Sequence, residues 1–278
     1  QAFAGPANRL VFYFAIPAMV FSAIAKGSLK TDFHPLVMGS TLAAVGTSFG
    51  LTWLLGRLFQ VPHHCLGTFV QSGYHGNLGY IGLAVAYYYL DQAGFISASL
   101  LLGFIMIFQN LLSVFILINY GGRASVGNSI GTMVSKILGN PMILSAGAGI
   151  VFSLTGMALP MVVLRTLDIF SGMALPLALL LIGAALNFDL MRSQLARVLP
   201  VAAIKLGLLP AAGLMFYTVC GLPADLYLPG LILLATPTAT VSYVMAVEMN
   251  GDVEFAATAI SVSTLLSAAS FSAWLHLV

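Results

Sequence analysis

The chain has 278 residues, 60% of them hydrophobic and 6% charged, with a formal net charge of +2. Soluble domains carry about a quarter charged residues, so lipid is the solvent for most of these side chains and a water-soluble globule is excluded. Ten basic against eight acidic residues leave no basic stripe for phosphates, which removes nucleic acid as a partner, and two cysteines make no disulfide framework.

Crossing about 30 Å of hydrocarbon takes roughly 20 apolar residues in a helix. Nine such runs follow one another, at residues 9–29, 35–59, 65–90, 95–118, 141–159, 170–186, 195–219, 227–249 and 255–277. No ten-residue alternation of apolar and polar residues accompanies them, so the runs are helices and not barrel strands. Arg9, Arg57, Arg123, Lys136, Arg192 and Arg197 collect on one side of these spans, and Lys26, Lys30 and Arg165 on the other. The excess of positive charge on cytoplasmic loops then places Gln1 and the loop from Asn119 to Gly139 in the cytoplasm and Val278 outside. Cys65 and Cys220 fall near opposite faces, too far apart for one bridge.

In the third run, Gln71-Ser72-Gly73-Tyr74-His75-Gly76-Asn77-Leu78-Gly79-Tyr80-Ile81-Gly82 puts glycine at 73, 76, 79 and 82. A glycine costs a helix about 1 kcal/mol relative to alanine. A step of three drifts about 60° per glycine on a 3.6-residue helix. The four therefore spread around the helix, which suits a local unwinding better than one packing face. His75, beside Asn77, is read either as a neutral group satisfying freed backbone or as a proton relay. In the fourth run Gln109 and Asn110 are polar glue between helices or substrate contacts. Lys205 stands about ten residues into the seventh run, near mid-membrane by the helical rise. An ionisable residue at that depth marks a function, either attracting an anion or titrating, or else supports the scaffold.

The eighth run contains Ala235-Thr236-Pro237-Thr238-Ala239-Thr240-Val241-Ser242-Tyr243. Pro237 has no N–H and in a helix would clash with the Leu233 carbonyl, so the helix breaks there. The alternating threonines suit a short extended stretch, although a proline kink with hydroxyl back-bonding is the simpler alternative. Glu248 falls near the cytoplasmic end of this run as an interfacial charge.

The two halves of the chain also repeat. Pro17 and Pro176 lie in similar segments 159 residues apart, Asp32 and Asp189 are 157 apart, Ala84-Val85 and Ala246-Val247 are 162 apart, and Asp91 and Asp252 are 161 apart. The first run crosses outward and the sixth inward, so the repeats are inverted, and inversion requires an odd number of helices in each. Residues 141–278 hold five spans, residues 1–118 hold four, and 119–140 form a short cytoplasmic loop between them. The missing partner of the run at 141–159 falls ahead of Gln1, so the repeat predicts a ten-helix protein whose first helix precedes this chain; a true nine-helix protein is the alternative. Paired interruptions in equivalent spans point to a transporter's binding site. The half-helix N-termini after Asn77 and Pro237 favour an anion, with Asn77 as a neutral donor.

At these residues the chain resembles the auxin efflux carrier family. The resemblance is carried by Leu10 to Phe21, by Asn77-Leu78-Gly79-Tyr80-Ile81-Gly82-Leu83, by Gly139-Asn140-Pro141, by Leu175 to Leu186, and by Pro237-Thr238-Ala239 leading to Ala246 through Asp252. It implies an all-α polytopic membrane protein built of inverted five-helix repeats with two crossed broken helices, a scaffold shared with bile-acid symporters and Na+/H+ antiporters. Here Ala84, Ser242 and Val247 stand where the family commonly has two prolines and a lysine, and the central loop is far shorter than in long plant carriers.

The expected activity is secondary-active or facilitative transport of a small organic anion, a carboxylate of auxin-like or dicarboxylate type. Elevator-type alternating access would move a crossover bundle against a scaffold bundle. The expected substrate contacts are Gly76, Asn77, Leu78, Gly79, Thr236, Pro237, Thr238, Ala239, Thr240, Gln109 and Asn110, with His75 and Lys205 as coupling or charge residues. The expected partners are the anion and the lipid bilayer of a plasma membrane, a bacterial inner membrane, with a homodimer as the assembly to test for. No cofactor, metal site, catalytic triad, carboxylate pair or nucleotide-binding loop is indicated, so an enzyme is not expected. A sodium-coupled bile-acid-type symporter and a non-transporting membrane sensor that binds a lipid or metabolite are the alternatives.

Overall fold

The computed structural model describes residues 4–27, 33–120, 131, 139–185 and 188–277. The described chain is an all-α membrane protein, and six of its helices are long and apolar enough to cross a bilayer. The first span is α1 (Ala4–Leu10), a π turn at Val11–Ala15 and α2 (Ile16–Lys26). It is followed by α3 (Pro35–Leu58), α4 (His63–Tyr74), a π turn at Leu78–Gly82 with α5 (Leu83–Tyr89), and α6 (Gln92–Tyr120). The second half has α7 (Pro141–Thr155), α8 (Met161–Ala185), and α9 (Phe188–Ala203) continued by a π turn at Ile204–Leu208 and α10 (Leu209–Val219). It closes with α11 (Ala224–Leu234), α12 (Val241–Glu248) and α13 (Val253–His276).

Local chemistry sets these boundaries. Asn140 caps α7 by accepting from the Met142 N–H at 2.9 Å, and Pro141 occupies the first turn, where no N–H is needed. Asp91 accepts from the Gly94 N–H at 2.8 Å at the head of α6, and Asp252 from the Phe255 N–H at 2.9 Å at the head of α13. The two aspartates matched by the sequence repeat therefore perform the same task, starting the helix after each broken span. Pro210 cannot donate back to the Leu206 carbonyl, and that oxygen instead accepts from Ser270 Oγ at 2.9 Å and Trp274 Nε1 at 2.8 Å.

Among the span limits that differ from the expected ones are those at 159, 170 and 195. The run at 141–159 stops early because Gly156 takes a left-handed φ of 65° and ends α7. The sixth helix starts nine residues before 170 and carries Arg165 and Asp168 within it, so Arg165 is not the loop charge that the side count took it for. Asp168 is tolerated there because it pairs with Lys26 at 3.3 Å. The seventh helix likewise begins at Phe188 and holds Arg197. Lys30, Arg123, Lys136, Asp32, Gln1 and Val278 lie outside the described residues, as do the side chains of Asp189, Arg192 and Glu248.

Helix α2 packs on α7 and α8, and the broken spans pack mainly among α3, α6, α9, α10 and α13, with the π turn at Leu78–Gly82 also against α8. Tyr74, Tyr217 and Lys205 are the bulkiest fully buried side chains. Tyr217 ties α10 to α3 through Thr41 Oγ1 at 2.6 Å and stacks on Tyr227 at 5.0 Å. The remaining helix faces expose leucine, valine and aromatic side chains such as Leu154, Val162 and Leu180, as a lipid-facing surface requires.

Candidate functional site

Both interrupted spans break, and they break against each other. Helix α4 ends at Tyr74 and α11 at Leu234, and the short non-helical stretches that follow meet in an antiparallel bridge between Gly76 and Thr238. The Asn77 N–H donates to the Pro237 carbonyl at 2.8 Å, and the Ala239 N–H to the His75 carbonyl at 2.9 Å. Non-helical backbone at membrane depth survives only where such partners replace the helical bonds.

The remaining freed groups are taken by side chains. The Gly76 N–H donates to Gln109 Oε1 at 3.2 Å, and Gln109 Nε2 donates to the Tyr74 carbonyl at 3.0 Å, so one buried amide straps the first break. The Thr238 N–H donates to Ser263 Oγ at 3.1 Å. Each bridged residue is thus held by the helix that follows its own break, α6 or α13. Pro237 leaves the Leu233 carbonyl without its helical donor, and Thr236 Oγ1 supplies one at 2.7 Å. Thr238 Oγ1 reaches the Ser72 carbonyl at 2.9 Å, and Ser48 Oγ the Gly73 carbonyl at 3.0 Å. Lys205, on the π turn of the seventh span, donates from Nζ to the Leu234 carbonyl at 2.9 Å and also to the Thr236 carbonyl. The cation thereby faces the negative end of α11.

The glycines serve close approach. None of the four takes a left-handed backbone, and the unwound stretch is shorter than the glycine run, since helix resumes at Leu78. A Cβ on Gly76 would strike Thr236 Oγ1, and one on Gly82 would lie 2.9 Å from Leu233 Cδ2. Gly73 and Gly79 would meet Thr52 at 2.7 Å and Met142 Sδ at 2.9 Å. Gly73 thus faces α3 and Gly79 faces α7, while Gly76 and Gly82 both face the end of α11 at Thr236, which is why no single packing face was visible in the sequence.

Of the expected contacts, Gly76, Asn77, Leu78, Thr236, Pro237, Thr238, Ala239 and Gln109 converge on the crossing, together with His75 and Lys205. Gly79 faces Met142 on α7, and Thr240 is half-buried at the start of α12. Asn110 turns away from the crossing and donates to the Met106 carbonyl one turn back at 2.7 Å. His75 Nδ1 lies 2.9 Å from Ser113 Oγ, which also meets the Tyr74 hydroxyl at 2.8 Å.

Asn77 Oδ1 accepts from the Tyr80 N–H at 3.3 Å, which fixes the orientation of the amide, since its nitrogen could not face another donor. Asn77 Nδ2 is buried without a partner. Among the described residues, the buried side-chain N and O atoms without partners are this nitrogen, Gln71 Oε1, Ser72 Oγ and Ser242 Oγ. All flank the breaks in the two interrupted spans. Gln71, Ser72 and Ser242 were not among the expected contacts, yet a signal existed. Ser242 extends the hydroxyls at 236, 238 and 240 by one more alternate position, and Gln71-Ser72 directly precedes the first glycine.

A cavity of about 630 Å³ opens between α2 and α8 on one wall and the α5–α6 junction on the other, lined by Ser22, Lys26, Tyr87, Asp91, Asp168 and Pro176 among others. At another junction Asp252 meets Arg197 at 3.3 Å and accepts from the Cys65 thiol at 3.0 Å. Burial pushes the Asp252 carboxyl upward, but the Cys65 thiol, the Phe255 N–H and the Arg197 guanidinium outweigh it and hold the group below its ordinary value. A depressed carboxyl pKa adds stability above the ordinary carboxylate range and loses it as pH falls through the lowered value. Asp252→Ala is expected to cost about 1–2 kcal/mol at neutral pH through the lost cap and pair. The gap from wild type in thermal unfolding should narrow in acid. Among the described residues, no cluster of three His, Cys, Asp or Glu could hold a metal ion.

A family model described as membrane transport protein matches residues 4–275. A relative from Rhizobium meliloti (strain 1021), named "Putative malonate transporter", is 24% identical over 98% of this chain and 86% of its own length. An uncharacterized transporter of Methanothermobacter thermautotrophicus is 25% identical over 96% of this chain and 86% of its own length. The match over almost the whole length, on an apolar helical fold with two crossed broken spans, shows that the chain belongs to the membrane transport protein family, that of the auxin efflux carriers, and is a multi-pass membrane transporter and not an enzyme.

Proposed function

We propose that the chain carries a small organic carboxylate across a plasma membrane by alternating access at the crossover, with Asn77 as its central donor. The observation that carries this reading is the unpaired Asn77 Nδ2. A buried donor without a partner costs about 1–3 kcal/mol, which a carboxylate oxygen would recover. The helical segments that resume after each break begin next to the linkage and add the positive ends of their peptide dipoles there. Gly76, Thr236, Pro237, Thr238 and Ala239 shape the seat, and the malonate in one relative's name supports a small carboxylate as the cargo. Two inverted repeats, residues 1–118 and 141–278, joined by a cytoplasmic loop at 119–140, supply the halves. The α2–α7–α8 group forms the scaffold against which the crossover bundle moves, and the 630 Å³ cavity lies between α2, α8 and the α5–α6 junction, away from the seat residues.

Counterflow in proteoliposomes over malonate, succinate, indole-3-acetate and a neutral amide analogue, each with and without a pH gradient, tests the substrate class. Saturable exchange of at least one carboxylate and none of the amide is expected. Exchange of the amide alone, or saturable carboxylate binding without flux, would replace the carrier of anions by another transporter or by a sensor.

A further inference from the structure

Broken helices in membrane carriers expose backbone carbonyls and negative helix ends, and in many transporters these groups coordinate a coupling sodium ion or proton. In this chain the carbonyls of Leu234 and Thr236, at the end of α11, are already occupied by Lys205 Nζ. The side chain is fully buried, and no carboxylate pairs with it among the described residues. An ion in hydrocarbon without a counter-charge is retained only where it serves a purpose. The ammonium also sits beside the proposed anion seat, since a Cβ built on Gly76 would lie 3.4 Å from Nζ.

We propose that Lys205 is a tethered cation in the place where a crossover otherwise takes up an alkali-metal ion. Its charge balances both the α11 carbonyls and the bound carboxylate, so this carrier needs no sodium, potassium or lithium. The inference rests on the anion-carrier reading above but is tested partly without transport. The side chain supplies up to three donors, and a positive charge when protonated, from within the chain, whereas a free ion must be bound and released in each cycle. The unpaired oxygens of Gln71 and Ser72, in the last turn of α4, and of Ser242, in the first turn of α12, carry no formal charge.

The test uses purified protein and proteoliposomes with radiolabelled malonate as probe. Wild-type uptake is expected to be unchanged when N-methyl-D-glucamine replaces every alkali cation, and the unfolding temperature is expected to show no saturable rise with NaCl, KCl or LiCl. Lys205→Gln is expected to acquire such a saturable rise, because the vacated carbonyls then take a free ion. Lys205→Ala is expected to lose about tenfold or more of uptake, equal to about 1.4 kcal/mol. n-Propylammonium should restore part of that uptake and 1-propanol none of it, a charge selectivity that a purely structural lysine would not show. Uptake by wild type that depends on an alkali ion, or a saturable stabilisation of wild type by one, overturns the proposal and moves the ion to the Gln71, Ser72 and Ser242 oxygens. Equal rescue by propanol also overturns it. If wild type carries no malonate under any condition, the anion-carrier reading fails by itself, and the unfolding temperatures still decide the role of Lys205. Should the Lys205 variants fail to fold, the wild-type cation series decides it.

Discussion

Gly76→Ala is expected to abolish transport and to lower the unfolding temperature, whereas Gly50→Ala on α3 changes neither. At Gly76 the new methyl group would overlap Thr236 Oγ1 and sit 3.3 Å from Leu78 Cδ2 and 3.4 Å from Lys205 Nζ. Thr236 cannot simply rotate away, because its hydroxyl holds the Leu233 carbonyl that Pro237 leaves free. Forcing a methyl into a packed site costs about 1–3 kcal/mol. Losing the buried hydrogen bond adds about 1 kcal/mol or more. The bridge between Gly76 and Thr238 then opens, and the seat between the two breaks loses its shape. A Cβ on Gly50 meets nothing within 4 Å, so Gly50→Ala controls for the general effect of adding a methyl to a membrane helix. Thermal unfolding and uptake on the same preparations check both variants. A Gly76→Ala protein as stable and as active as wild type would show that the crossing is not the tight contact described.

Asn77→Ala is expected to reduce malonate uptake by about 10- to 150-fold, the equivalent of about 1.5–3 kcal/mol for a hydrogen bond to a charged group. The alanine removes two functions at once, the cap on the Tyr80 N–H and the free Nδ2 donor. Asn77→Asp separates them. An aspartate keeps an oxygen for the Tyr80 N–H, and so holds its thermal stability nearer to wild type, but it offers no donor and adds a negative charge where the substrate carboxylate would bind. Its uptake is expected to fall at least as far as that of Asn77→Ala. Recovery of uptake in Asn77→Asp would assign Asn77 to capping alone.

Much of this arrangement was legible in the sequence because proline and glycine act locally. Pro237 removes a helical donor, and the hydroxyls around it favoured the extended stretch that the structure contains over a simple kink. The long apolar runs fixed the helical class by length alone, and the repeat of Asp91 and Asp252 marked the same capping event twice. What could not be read was which freed group each side chain would satisfy, since those partners come from distant helices. Lys205 and the Leu234 carbonyl are 29 residues apart, and Gly76 and Gln109 are 33 apart. Asn110 shows the same limit. It neighbours Gln109 in sequence but stands about 100° round the helix from it, and so binds its own helix in place of the crossing. Charges also misled. Arg165 was counted as a loop charge, but α8 runs through it and through Asp168, which pairs with Lys26.

The most direct test of the central claim is counterflow of labelled malonate into proteoliposomes preloaded with unlabelled malonate, for wild type and Asn77→Ala side by side. The account predicts transient accumulation of label by wild type, alike with or without sodium, and its near loss in Asn77→Ala. Equal accumulation by the two proteins, or saturable malonate binding by wild type with no accumulation at all, would contradict it.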